Sequence, residues 1–200
     1  MGWTRLAVAN WASGDTWSTP TFTAHEYIHI EAFYSIASGA SDPVVTFNDD
    51  DGTDDNYGSV RNQDGHQDET VEADVPYLIK NDVGNAGNDE MIYDVIDIYN
   101  PITASEEKHA TVHTCTSEDG SMADGTPHRR EYSAKWRTAE RITKINFITL
   151  AGNYDYGTAI VWGSDEVETV VPRLPNGALF EESDTGKIMM FDGTDTWNEM

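Results

Sequence analysis

Residues 24–36 read AHEYIHIEAFYSI. Inside this stretch His25-Glu26-Tyr27-Ile28-His29 fits the H-E-x-x-H pattern of zinc proteases, with His25 and His29 as ligands and Glu26 as general base. That chemistry needs a helix, on which residues four apart share a face. Read as a strand, the stretch places His25, Tyr27, His29, Glu31 and Phe33 on one side. Glu26, Ile28, Ile30, Ala32, Tyr34 and Ile36 fall on the other, which is apolar after Glu26. A helical stripe through Tyr27, Ile30, Tyr34 and Ala37 can also be drawn, but the content is β-branched and aromatic. The longer metalloprotease pattern also fails, because Ala32 stands where it needs Gly and Ser35 where it needs a third His. The stretch is read as a strand with Ile28, Ile30 and Tyr34 facing a core. His25 and His29 then become titratable members of the opposite face.

The rest of the chain extends this reading. RLAVANW (5–11), PVVTFN (43–48), EMIYDVIDIYN (90–100), EKHATVHTCT (107–116), HRREYSAKW (128–136), RITKINFITLA (141–151) and GTAIVWG (157–163) are further strand candidates. Asp-Gly turns recur at 51–52, 64–65, 119–120 and 192–193, and the tetrapeptide Asp-Gly-Thr-Asp occurs at 51–54 and 192–195. Short strands, frequent turns and no long helical pattern predict an all-β chain, a jelly-roll-like β-sandwich over residues 1–163. Residues 164–176, with two prolines, read as a linker. Residues 177–200 read as a small three-stranded β-meander, a unit too small to be stable alone. The loops 49–70 and 81–90 are expected to face outward.

Charge is the loudest compositional signal. Thirty-six acidic residues against twelve basic ones give a net −24. The acids are spread among six Trp, nine Tyr and six Phe, which indicates a folded protein with an acidic surface and not a disordered acidic tail. High salt, which screens the self-repulsion of such a surface, is the preferred explanation. Nucleic acid is excluded as a partner, since its phosphates would be repelled. The apolar runs are too short for membrane insertion. The single cysteine, Cys115, allows no intrachain disulfide and is expected to be a small buried residue.

Three further clusters carry candidate chemistry. NDDDGTDDN (48–56) is rich in carboxylates, but aligning Gly52 with the invariant Gly of an EF-hand puts Phe47 at the first ligand position. A calcium loop of another kind through Asp49, Asp51 and Asp54 stays open beside an ordinary exposed turn. Residues 128–144 hold six of the twelve basic residues, either as strand partners of neighbouring acids or as an interface for an acidic face. His109 and His113 would share a strand face at a separation too large for a metal pair. No nucleophile elbow, P-loop or dinucleotide fingerprint occurs. No catalytic, cofactor-binding or metal residue is therefore assigned, no cofactor is expected, and the chain is read as non-enzymatic.

Several stretches resemble the β-rich virion structural proteins of tailed viruses, especially head-appendage and tail modules. VVTFNDDDGTDDNYGSV (44–60) is similar to a Phe-Asn-acid-Gly-x-Asn-Tyr segment of that family, although Asp50 stands where Gly is usual. KWRTAERITKINFITLAGNYDYGTAIVWG (135–163) resembles its closing strand pair, with Gly157-Thr158 for Gly-Ser and Trp162-Gly163 for Tyr-Gly. LPNGALFEESDTGKIMMFDGTDTWNE (174–199) resembles a common terminal unit. The resemblance implies a symmetric homo-oligomer in the virion, at a capsid vertex or on the tail or baseplate. Partners would be further copies and other capsid or tail proteins, with Phe180, Phe191 and Trp197 as buried anchors. With the acid excess, it implies a virus of a halophilic archaeal host. A different role on the same scaffold is a receptor- or carbohydrate-binding head that contacts a host surface glycoprotein.

The charge reading predicts that the fold depends on salt. Circular dichroism should show the β spectrum in molar salt and its loss in millimolar salt; a spectrum unchanged on salt removal would refute it.

Overall fold

The computed structural model describes residues 2–37, 41–50, 56–63, 70–81, 90–100, 106–117, 127–165, 179–181, 187–191 and 197–199. Among these residues there is no helix. The chain divides into two compact units, Gly2–Asp165 and Glu166–Met200.

The first unit opens with strands β1 (Thr4–Trp11), β2 (Thr16–Ser18), β3 (Tyr27–Ile36) and β4 (Ser41–Phe47). β5 (Tyr57–Gln63), β6 (Thr70–Val75) and β7 (Ile79–Lys80) follow, then β8 (Glu90–Tyr99), β9 (Lys108–Ser117) and β10 (Pro127–Trp136). β11 (Ile145–Ala151) and β12 (Tyr154–Ser164) close it. Four of the later strands retrace the first four. β1 pairs with β12, β2 with β11, β3 with β8 and β4 with β7, all antiparallel. This long ribbon folds on itself so that β12 also pairs with β3 and β11 with β4. The result is two four-stranded sets, β1-β12-β3-β8 and β2-β11-β4-β7, the connectivity of a jelly roll. The hairpins β5–β6 and β9–β10 are inserted into this path. They pair to one another through β5 and β10 and extend the first set to an eight-stranded sheet, β1-β12-β3-β8-β9-β10-β5-β6.

The strand reading of residues 24–36 holds for Tyr27–Ile36: Ile28, Ile30, Ala32, Tyr34 and Ile36 are buried. Alternation then fixes the parity of every neighbour through the register. Ile30, Ile96, Val112 and Tyr132 form one inward row across β3, β8, β9 and β10. Aromatic rings bind the two sheets at two places. Trp11 of β1 packs on Phe147 of β11 at 5.4 Å between ring centres, with Tyr34, Tyr154 and Trp17 around them. Phe47 of β4 packs on Trp136 of β10 at 5.4 Å and on Tyr57 of β5 at 5.9 Å. The second cluster ties the inserted hairpins to the smaller sheet, and the Tyr57 hydroxyl accepts a 3.0 Å hydrogen bond from the Phe47 amide.

Two expectations are corrected here. Residues 49–70 are not simply a loop: Tyr57–Gln63 is a full strand beside β10, and Tyr57 is completely buried. Cys115 is exposed, because Ala110, Val112, Thr114 and Thr116 take the inward positions of β9 and leave His109, Thr111, His113 and Cys115 outside. The same parity carries Lys108 inward, where its ammonium donates to the carbonyls of Thr138 at 2.8 Å and Glu106 at 3.2 Å. Burial, and then the nearby Arg141, lowers its pKa.

The second unit contains three short antiparallel strands, β13 (Leu179–Glu181), β14 (Ile188–Phe191) and β15 (Trp197–Glu199), in that order. For Phe180, Phe191 and Trp197 only the backbone belongs to the described structure, so the anchor role of their side chains lies outside it. Asp51 and Asp54 of the acidic run, and all of 82–89 within the 81–90 loop, also lie outside the described residues.

The Trp11 contact makes a sharp demand on Gly157, its cross-strand partner. A Cβ at Gly157 would stand 2.3 Å from the Trp11 ring. Gly157→Ala should therefore destabilise the unit by about 1–3 kcal/mol, the usual cost of overpacking. Chemical denaturation measures this, and an unchanged midpoint would contradict the packing described.

Candidate ligand-binding face

Five elements build one continuous outer surface on the eight-stranded sheet, on the side away from the core. Its first cross-strand row runs Tyr27, Tyr99, His109, Lys135, Gly58 over β3, β8, β9, β10 and β5. The next runs His29, Asp97, Thr111, Ser133, Val60 over the same strands. Side-chain size along these rows shapes the surface. Tyr27 and Tyr99 stand side by side, ring centres 5.5 Å apart, while Thr111, Ser133 and Gly58 are small. The drop from aromatic to small residues opens a cleft of ≈ 930 Å³, at the upper end of the range in which small ligands are held (roughly 300–1,000 Å³). Trp3 stands at its edge, 43% exposed, with its ring edge-on to His29 at 6.0 Å. Tyr99, Tyr93, Met91 and Tyr156 are likewise exposed, so apolar surface gathers on this face.

The polar groups of the cleft are held in place. His29 Nδ1 lies 2.7 Å from Asp97 Oδ1, and Glu31 approaches the other ring nitrogen at 3.9 Å. Lys135 Nζ reaches both Glu107 carboxylate oxygens at 3.1 Å. Arg137 donates to the Tyr57 carbonyl at 3.0 Å. Such exposed pairs add little stability but fix the directions of their groups.

The HEYIH residues do not converge. His25 precedes β3 and pairs with Asp165 at 3.0 Å, whereas His29 sits on the outer face with Asp97. His113 faces Glu131 at 3.6 Å, one outward position beyond Thr111, and His109 belongs to the Tyr99 row. No group of three or more His, Cys, Asp and Glu side chains suited to a metal occurs among the described residues. Asp49 of the acidic run is engaged by Lys144 and by the Asn146 amide, and Lys144 holds its pKa below the ordinary value. The basic run 128–144 makes internal contacts, and its Lys135 and Arg137 also line the cleft. Lys135, Lys144 and Arg129 meet Glu107, Asp49 and Glu131; Arg137 and Arg141 donate to backbone carbonyls.

A second polar cluster lies inside the sandwich. Asp94 of β8 is fully buried and accepts from Thr114 Oγ1 at 2.6 Å, Tyr34 Oη at 2.7 Å and Asn81 Nδ2 at 3.2 Å. Buried Arg130 lies on the same cross-strand row, opposite Thr114. Burial outweighs these donors and raises the Asp94 pKa; burial and then the Asp94 charge raise that of Tyr34. The cluster is closed to ligands and is read as an internal polar tie.

No protein-family model, curated protein or solved structure matches the chain.

A carboxyl whose folded-state pKa exceeds its unfolded value contributes stability in full below the unfolded value, about 4. It loses that contribution as pH rises through the folded value. Asp94→Asn keeps a polar group of the same shape without the charge. The stability of the parent relative to Asp94→Asn should thus fall as pH rises above the unfolded value of about 4 in urea denaturation; a difference constant with pH would contradict a raised pKa. Asp94→Ala should cost about 1–3 kcal/mol or more, by stranding the Tyr34 and Thr114 hydroxyls.

Proposed function

We propose that this chain is a non-enzymatic structural protein of a tailed-virus particle, built as a jelly roll that displays a recognition face and a C-terminal unit that assembles it. One observation in the second unit supports assembly above all. Leu179 and Met190 are cross-strand partners, and Ile188 shares their face. All three are exposed, Leu179 at 64%, Ile188 at 45% and Met190 at 38%. A meander of three short strands with an open apolar row is marginal alone and gains stability by burying that row against further copies. The assembly would sit at a capsid vertex or on the tail. Its acidic surface, net −24, suits a particle of a halophilic archaeal host.

The second reading, attachment to the host surface, is favoured by the cleft. Aromatic rings beside Asp97, His109, Thr111 and Ser133 combine a stacking platform with hydrogen-bonding groups, the composition a carbohydrate-binding head requires.

Light scattering on the full chain in molar salt should give a mass several times that of one protomer. The double substitution Ile188→Asp with Met190→Asp should return it to one protomer with the β spectrum intact. A monomeric parent protein would contradict the assembly role.

A further inference from the structure

The side chains that line the cleft carry more basic than acidic groups, with Glu107 on Lys135 and Glu26 and Glu106 acting on Tyr99 from outside the lining. Among the described residues that line it, Asp97 is the one carboxylate, while Lys135, Arg137 and His109 also line it. Asp97 Oδ1 lies 2.7 Å from His29 Nδ1. In a chain with only twelve Lys and Arg against thirty-six acids, this is a local inversion of sign. Glu107, the partner of Lys135, stands outside the lining and is exposed, so its hold on the ammonium is one that a competing anion can replace.

The positions are ordered across the strands. Tyr27 and Tyr99 make a ring platform at one end of the first row, and His109 and Lys135 follow it. Beside that row run Asp97, Thr111 and Ser133, a carboxylate and two hydroxyls in register. Neighbouring strands are about 4.8 Å apart, so the polar groups follow the platform at steps of that size.

From this arrangement we infer that the cleft binds an acidic glycan, one whose sugar rings carry a carboxylate, as uronic acids do. The apolar face of one ring lies on Tyr99 and Tyr27. Its hydroxyls donate to the Asp97 carboxylate and exchange hydrogen bonds in either direction with the Thr111 and Ser133 hydroxyls. The carboxylate meets Lys135, with Arg137 and His109 nearby. A neutral sugar would use the platform and the hydroxyls but leave the cationic side unmatched. A polyanion without rings would meet the cations but would gain nothing from the tyrosines, and the surrounding acidic surface would repel it. This deepens the attachment reading and is independent of the assembly role.

The test uses the full chain at the lowest salt that keeps its β spectrum, with tetragalacturonate and its methyl ester as probes in titration calorimetry. Tetragalacturonate should bind, and the neutral ester should bind at least tenfold more weakly. Tyr99→Ala should weaken the acid form at least tenfold, whereas Tyr99→Phe, which keeps the ring, should not. Lys135→Gln should bring the acid and the ester close together. No binding of tetragalacturonate, or equal binding of the ester, would overturn the inference. So would a change of solution mass in Tyr99→Ala, since that would make the cleft a contact between copies. Failure of the glycan test leaves the mass of the parent protein unaltered, so it is distinct from failure of the assembly reading.

Discussion

The contact between Trp11 and Phe147 holds the two sheets of the jelly roll together at the point where both ends of the ribbon meet. Trp11 closes β1, and Phe147 lies in β11, the strand just before the last of this unit. Their rings are 5.4 Å apart, with Tyr34 and Tyr154 edge-on to one another at 5.5 Å beside them. Ring pairs of this kind add about 0.5–1.5 kcal/mol each beyond the area they bury. They also impose position. The indole needs Gly157 opposite it, and Gly157 fixes the register of β12 against both β1 and β3. A slip of one residue would turn each inward row outward. The outer-face cleft and the buried Asp94 row are therefore both consequences of where Trp11 sits.

The inserted hairpins give the protein its distinctive surface. A jelly roll without them would end its first sheet at β8, and Tyr99 would border solvent at an edge. With β9, β10 and β5 added, Tyr99 becomes one wall of a cleft whose floor is made of small residues. The Phe47–Tyr57–Trp136 cluster is what allows this extension, because it packs the added strands against the smaller sheet. The cleft and the core thus occupy the two faces of the same strands.

Much of this was legible in the sequence. Alternation in 24–36 is strong because one face is apolar after Glu26, and it identified that strand and its inward residues; 90–100 and 128–136 read as strands, although Asp94 and Arg130 interrupt their inward faces. The short strands were not legible. Thr16-Trp17-Ser18 and Ile79-Lys80 are too brief for any period to show. Tyr57–Gln63 reads as polar because its inward face has one large apolar residue, Tyr57, followed by Ser59 and Arg61. The parity of β9 was misjudged at Cys115, since composition favours a buried thiol over a buried lysine. Two carbonyl acceptors satisfy Lys108 inside, and Val112 needs the core, so the thiol is left outside. The cleft was invisible for another reason: its residues come from β3, β5, β8, β9 and β10, and only the register brings them together.

One folded ribbon, closed by the Trp11 cluster, carries the inserted hairpins on its edge. Native-state amide hydrogen exchange resolved by residue tests it most directly. The amides of β1, β3, β11 and β12 should exchange together as the most protected group, from both sheets at once, with β5 and β6 exchanging earlier. If β11 and β4 exchange independently of β12 and β3, or if β5 and β6 outlast them, the sheets are not closed by that cluster and the account is wrong.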